Sequence, residues 1–310
     1  MRKKGFTLVE LLVVIAIIAL LMGILMPALA RVRQLAFRMT CGTNLSGIGK
    51  AMLIYANDYE DELPRAGGRT TTWGAMPAAG WGATTRPLAF GYNASTGEGG
   101  TASVSSCFYL LVKYAEVTPK SFICKGDSGT TEFKLADITP PRTPFVLIDA
   151  WDFGPQATAY KSCSYSYHSP FSQYALTVSS EPGFAVAADR NPFIASPAGG
   201  AVDVSAFRPD LQGATGTAEQ AKMGNTPGHQ LEGQNVMFLD THVEFEKRSY
   251  CSLEDDNIYL ISASTTGTGS PTGVPPTLAN YKPLNRKDSV LIHDPDVMTA
   301  GAAGGGTTRR

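Results

Sequence analysis

An uncharged run from Leu11 to Ala30 constrains this chain more than any other stretch. Valine, isoleucine, leucine, methionine and alanine fill it almost throughout. A bilayer core takes ~20 apolar helical residues at 1.5 Å each, and this run supplies that length. Arg2, Lys3 and Lys4 precede it. Basic residues beside a span stay on the cytoplasmic side, so everything after residue 30 is expected outside the inner membrane. Glu10 stands as a lone carboxylate at the head of the run. A carboxylate in a membrane segment is costly and suggests function. The plainer reading is that it lies at the headgroup level.

Gly5-Phe6-Thr7-Leu8-Val9-Glu10-Leu11-Leu12 resembles the cleavage and methylation segment of type IV pilins and type II secretion pseudopilins. The resemblance implies that a prepilin peptidase cuts between Gly5 and Phe6 and that Phe6 is N-methylated. It implies that Glu10 pairs with the terminal amine of a neighbouring subunit; a buried charge needs such a partner. Pro27 matches a proline that kinks the family's N-terminal helix, as an internal proline does by removing a hydrogen bond. The implied partners are the peptidase, other pilin or pseudopilin subunits and an inner-membrane assembly platform. The implied fold is α+β, a long N-terminal helix packed on a head rich in antiparallel sheet. The rival is a secretory signal peptide, with Lys3-Lys4, an apolar core Leu11–Met26 and Ala28-Leu29-Ala30 as cleavage site. The run is long for a signal core, and an acidic residue leading into it is unusual.

Net charge is −1 and no basic run follows residue 4, which argues against a nucleic-acid partner. The 32 glycines and 20 prolines predict long loops. Five cysteines, Cys41, Cys107, Cys124, Cys163 and Cys251, follow the apolar run in a disulfide-permissive compartment. The odd number leaves at least one unpaired, and sequence does not assign the pairs; Cys107–Cys124 is one plausible bridge. No C-x-x-C is present, so a zinc ribbon is not expected, and no cofactor is read from the chain.

Helical spacing continues after Pro27 through Leu29, Val32, Ala36 and Met39, then Ile48, Met52, Tyr55 and Tyr59. A signal peptide gives no reason for this; a stalk that packs on a head does. Gly42, Gly47 and Gly49 predict a soft joint between the two sets. The acidic run Asn57 to Glu62 lacks the glycine of an EF-hand loop and reads as a solvated helix end. Residues 65–105, with Trp73 and Trp81, read as surface loop, and Ser106–Val117 as a short helix. Strands are expected at Phe122–Cys124, Phe145–Ile148, Ser164–Tyr167 and Phe184–Ala188, the last running into Asp189-Arg190-Asn191. Phe122-Ile123-Cys124-Lys125-Gly126-Asp127 resembles the family's Phe-x-Cys-x-x-Asp segment. Gly126-Asp127-Ser128-Gly129 has the look of a serine-protease motif, but every histidine follows it, and a plain turn is expected.

Asn235–Leu239 and His242–Phe245 form a hairpin by pattern, with Asp240-Thr241 as a two-residue turn. Together with Asn225, His229 and Gly233 this stretch resembles the C-terminal signature of a bacterial prepilin-like family. That signature is a histidine, nine residues, then Asp-Gly. Here ten residues separate His229 from Asp240, and Thr241 replaces the glycine. The marked positions are His229, Asn235 and Asp240. His229, Asp240 and His242 are of metal-ligating type, but side chains satisfying turn backbone are the favoured reading, and no metal site is assigned. Glu254–Tyr259 resembles a late family segment. Residues 263–280 read as linker, Ser289–Ile292 as an edge strand, and the last ten residues as disordered.

The expected organisation is a leader at 1–5, a membrane helix at 6–30, its amphipathic continuation at 31–62, a head at 63–262 and a linker with tail at 263–310. The expected role is a structural filament subunit, not an enzyme. It would sit as a single-pass inner-membrane protein with its head in the periplasm or outside the cell. The alternative is a membrane-anchored or secreted binding module, its Trp73 and Trp81 recognising carbohydrate or an exported substrate.

Overall fold

The computed structural model describes residues 7–138, 145–211, 214–264, 266–296 and 298. Gly5, Phe6 and the last ten residues lie outside them, so the cleavage position and the tail carry no structural statement.

One helix, α1, runs without a break from Leu8 to Asp58, 51 residues with Pro27 inside it. At 1.5 Å per residue it is about 77 Å long. Its two halves meet different surroundings. From Leu8 to Met39 its apolar side chains point outward, with Leu8 78%, Ile24 70% and Met39 74% exposed. From Cys41 onward a stripe at Cys41, Leu45, Ile48, Met52 and Tyr55 is buried. Steps of four and three keep this stripe on one helix face. Ile48, Met52 and Tyr55 are the residues whose spacing predicted it. The earlier set, Leu29, Val32, Ala36 and Met39, is exposed and meets no core within the chain.

The stripe packs on a five-stranded antiparallel sheet. Its strands are β1 (Tyr165–His168), β2 (Ala185–Asp189), β3 (Gln234–Phe238), β4 (Val243–Glu246) and β5 (Leu291–Ile292). Their order is β4-β3-β2-β1-β5. The architecture is α+β, as expected, and β5 is the edge strand that Ser289–Ile292 suggested. Both faces are covered. Met237 and Leu239 join Leu45, Ile48 and Met52 in the core beneath α1. Val236 and Phe238 face a second core with Phe193, Phe207, Tyr250, Ile258 and Tyr259. Alternate residues of a strand point to opposite faces, so one sheet serves two cores. A second helix, α2 (Val104–Tyr114), is capped by Ser103, whose hydroxyl accepts from Ser106 N at 3.0 Å. Phe108 and Tyr109 of α2 pack with Phe122, Phe133 and Phe153 in edge-on and tilted ring pairs.

Several expectations are corrected. The soft joint is absent, because two of its glycines are contact points and not hinges. A Cβ on Gly49 would lie 2.4 Å from Met237 Sδ, and one on Gly42 would lie 3.0 Å from Asn235 Oδ1. These glycines let α1 approach β3 closely, and only Gly47 has open space around it. Phe122–Cys124 is not a strand: Pro119–Phe122 is a 3-10 turn, and proline at its first position favours that start. Leu147–Asp149 is likewise a 3-10 turn, closed by the Asp149 carboxylate accepting from Val146 N at 2.9 Å, with Val146 and Ile148 exposed. Trp73 and Trp81 are 4% and 6% exposed and belong to the core, not to surface loop. Trp73 sits in a short parallel pair, Thr72–Trp73 with Thr101–Ala102. The 263–280 segment is not plain linker, since Gly273–Val274 pairs with Ile261–Ser262. A further short helix, Ala218–Lys222, is started by a Thr217–Gln220 capping box.

Two predictions follow from this packing. Gly49→Leu should lose about 1–3 kcal/mol by overpacking against Met237, whereas Gly47→Ala should be neutral or gain up to about 1 kcal/mol; chemical denaturation of the detergent-solubilised chain reads both. His168 is buried, and burial pushes its imidazole down to about 4. The unfolded chain therefore takes up this proton first as pH falls from about 6.5, so His168 costs stability between pH 6.5 and 4. A His168→Gln chain should lose less stability than wild type across that window, by about 1–3 kcal/mol; equal slopes would contradict this.

Candidate functional site

Two places gather the residues marked by the sequence. The first is the start of α1. Thr7 caps the helix, its Oγ1 accepting from Glu10 N at 3.2 Å. The Glu10 carboxylate accepts in return from Thr7 N at 2.9 Å and from Thr7 Oγ1 at 2.8 Å. This reciprocal capping box satisfies donors that a helix start leaves open. Thr-x-x-Glu is legible in the sequence, and the reading of Glu10 as a charge seeking an intermolecular partner passed over it. In the single chain Glu10 already has a local partner. Pro27 lies in the exposed half of α1, nineteen residues into the helix. The helix passes through Ala28-Leu29-Ala30 unbroken and continues into the head.

The second place is where α1 enters the head. Cys41 of α1 and Cys124, just past the Pro119–Phe122 turn, form a disulfide. This corrects the Cys107–Cys124 pairing. Cys107 is a buried free thiol that accepts from Ala66 N at 3.3 Å, and burial pushes it up to about 12. The true pair joins residues 83 apart, which no local pattern in the sequence marks. Closing a loop of that length disfavours the unfolded chain by about 4 kcal/mol in the chain-entropy account.

His229 lies against this disulfide. It sits at the end of a 3-10 turn, Pro227–His229, started by Thr226, and is buried. Its Nε2 is 3.1 Å from Asp189 Oδ2, 3.3 Å from Asn235 Nδ2 and 3.7 Å from Cys124 Sγ. Asp189 Oδ2 accepts from Asn235 N at 2.7 Å and from Asn235 Nδ2 at 3.0 Å. Asp189 ends β2 and Asn235 is the second residue of β3 beside it, so the sheet itself places the pair. The neighbours of Asp189 extend the network. Arg190 pairs with Asp127 at 2.9 Å and donates to Tyr160 O at 2.7 Å. Asn191 Nδ2 donates to Tyr259 O and Leu291 O, both at 2.8 Å. Asp127 is thus an ion-pair partner, and burial holds its carboxyl above the usual range despite Arg190.

Of the signature residues, the structure brings His229 and Asn235 together and leaves Asp240 apart. Asp240 lies beyond the far end of β3 and bonds His242 at the hairpin tip. His229, Asp240 and His242 therefore do not form one cluster. The hairpin loop is also longer than expected. Phe238 N donates to His242 O at 3.0 Å and Thr241 N to Phe238 O at 2.9 Å, enclosing three residues. Thr241 takes φ +69°, the left-handed position that closes such loops and favours glycine. Gly233, at φ +153°, is required: a Cβ there would lie 2.3 Å from Glu246 O. Asn225 Nδ2 donates to Leu231 O at 3.0 Å and Lys247 O at 2.9 Å, holding the histidine-bearing loop to the residue just past β4. The sequence reading missed Cys41 and Asp189; a polar triplet ending an apolar strand was the signal available for the latter.

Residues 1–26 match the family model described as the prokaryotic N-terminal methylation motif. The chain carries a prepilin-type N-terminus. Behind that motif stands the one described helix long and apolar enough to cross a membrane, which fits a membrane-anchored, pilin-like protein. No curated protein and no solved structure gives a match to the chain.

Relief of the backbone strain at the hairpin tip is directly measurable. Thr241→Gly should stabilise the head by on the order of 1 kcal/mol, read as a rise in the denaturation midpoint at unchanged slope; destabilisation would show that the threonine side chain contributes more than its backbone costs.

Proposed function

We propose that this chain is a structural subunit of a type IV pilus-like or type II secretion pseudopilus filament. Prepilin peptidase cuts it between Gly5 and Phe6 and Phe6 is N-methylated. The observation that carries the reading is the exposed half of α1 behind the processing motif. From Leu8 to Ala30 the side chains are exposed and almost all apolar, and none joins the core of the head. Before assembly the bilayer solvates this surface. In a filament, the same surface packs against the helices of neighbouring subunits. The lower half is rigidly joined to the head by the buried stripe and the Cys41–Cys124 bridge, so a force on the helix reaches the head.

Glu10 then has two states. In the isolated subunit it closes its own capping box with Thr7. In the filament it turns to the methylated Phe6 amine of a neighbour, a charge pair in low dielectric, and sets axial register. The exchange gives up the carboxylate's bonds to Thr7 and keeps the Thr7 cap on Glu10 N; a dehydrated ion pair offsets that loss. The head is held on the periplasmic or outer side by the basic start of the chain. Partners are the peptidase, other pilin or pseudopilin subunits and the inner-membrane assembly platform.

Mass spectrometry of the mature N-terminus from native membranes tests the first step. N-methylated Phe6 is expected; a start at Arg31 would establish a signal peptide and a released head. Glu10→Ala should leave processing intact and reduce assembled filament at least about tenfold, scored by shearing and electron microscopy; wild-type filament yield from that variant would remove the register role.

A further inference from the structure

Four metal-ligating side chains meet where α1 joins the head: Cys41, Cys124, Asp189 and His229. One donor atom from each lies within 4.8 Å of all the others, and all four residues are buried. Among the described residues this is the only such grouping. The donors come from α1, from the segment after the Pro119–Phe122 turn, from the end of β2 and from the Pro227–His229 turn.

The distances suit a tetrahedral ion. Zinc bonds of 2.0–2.3 Å to nitrogen, oxygen and sulfur place ligand atoms about 3.2–3.8 Å apart. His229 Nε2 lies 3.1 Å from Asp189 Oδ2 and 3.7 Å from Cys124 Sγ, which are two edges of such a tetrahedron. The surroundings are also those of a built site. Asn235 donates twice to Asp189 Oδ2 and fixes the carboxylate. Asp189 Oδ1 is buried and has no hydrogen-bond partner, so it retains a lone pair for a cation. Supporting contacts of this kind orient ligands and raise metal affinity. Only the sulfur–sulfur bond stands in the way.

We propose that the dithiol form of this chain holds one zinc-class divalent cation on Cys41, Cys124, Asp189 and His229, and that forming the disulfide abolishes the site. The chain is made with both cysteines reduced. Binding replaces the two thiol protons with the metal, releasing them to solvent. Oxidation removes the ligands: the two cysteine thiolates give two electrons to an incoming disulfide oxidant, the Cys41–Cys124 bond forms as the oxidant's sulfur–sulfur bond breaks, two thiolates of the oxidant are released to take protons from solvent, and the cation leaves. The same junction is thus clamped twice, first by a metal and then covalently. The order lets α1 seat on the head before the bond that fixes it is made.

The test uses the full-length chain in detergent, without oxygen, in dithiol and disulfide forms. Zinc retained after desalting is counted by elemental analysis, and cobalt is substituted to report thiolate ligation by its charge-transfer band. The dithiol form should hold a single equivalent with the cobalt–thiolate band, and the disulfide form less than about a tenth of that. Asp189→Asn should weaken binding at least about tenfold with the fold retained by circular dichroism. Because ligand variants risk unfolding, a second readout uses the unaltered chain: zinc should slow alkylation of Cys41 and Cys124 at least about tenfold, mapped by mass spectrometry, while Cys107→Ser, Cys163→Ser and Cys251→Ser together leave binding unchanged. Equal zinc in both redox forms would overturn the proposal. So would alkylation of Cys41 and Cys124 that zinc does not slow, or binding that disappears with the other three cysteines.

Discussion

The seating of the lower half of α1 on the sheet is the contact on which the rest of the molecule depends. It buries Leu45, Ile48, Met52 and Tyr55 in one core with Met237, Leu239 and their neighbours. Each buried aliphatic or aromatic side chain here contributes roughly 1.5–3 kcal/mol. The contact is close because Gly42 and Gly49 carry no side chain where β3 passes. A glycine in a helix ordinarily costs about 1 kcal/mol, and here the cost is set against packing that a larger residue would prevent. Cys41–Cys124 holds the upper edge of the same contact, and the stacked Tyr55 and Tyr59 rings, 4.1 Å apart, close its lower end.

The polar network beside the disulfide complements that apolar seat. Asp189, Arg190 and Asn191 follow one another in sequence yet fasten three different parts of the head. Asp189 holds β3 and the His229 turn, Arg190 holds the Asp127 turn, and Asn191 holds the Tyr259 and Leu291 segments. Consecutive residues at a strand end diverge in direction, which is why three neighbours reach three targets. A head with many loops gains a single arrangement from such a node, since each buried polar group is satisfied only when every segment is in place. His229 serves the junction of α1 with the head, and Asp240 bonds His242 at the hairpin tip.

The two ends of α1 show how one helix answers two solvents. From Leu11 to Ala30 it is uncharged, almost wholly apolar and exposed; from Cys41 on it buries one apolar stripe and carries mostly small and polar residues elsewhere, with Leu53 and Ile54 exposed. A helix apolar all round belongs in lipid or among other helices, and a striped one belongs on a domain surface. The transition falls near Arg38, which pairs with Glu232 and lies over the Phe245 ring at 4.5 Å, marking where the helix leaves the head.

Much of this was written in the linear sequence. Composition and position alone set the membrane-length helix, because hydrophobicity over twenty residues is a local property. The stripe Ile48, Met52, Tyr55 followed from helical spacing, and strands expected at 164–167, 184–188, 235–239 and 242–245 from local apolar pattern; they stand one residue displaced at 165–168, 185–189, 234–238 and 243–246. Tertiary structure decided the rest, where the partner is distant. Cys124 chose Cys41 over Cys107 because the fold lays α1 beside residue 124. Gly42 and Gly49 became contact surfaces because β3 passes there. Phe122–Cys124 and Phe145–Ile148 read as strands by content, yet among the described residues neither joins a sheet, and 3-10 turns at Pro119–Phe122 and Leu147–Asp149 take up backbone groups there. Trp73 and Trp81 sit among loop-forming residues, but ring area large enough to anchor a core drew them inward. The meeting of His229 with Asp189 and the disulfide exists only in three dimensions, since its members are spread from residue 41 to residue 229 and nothing in their spacing brings them together.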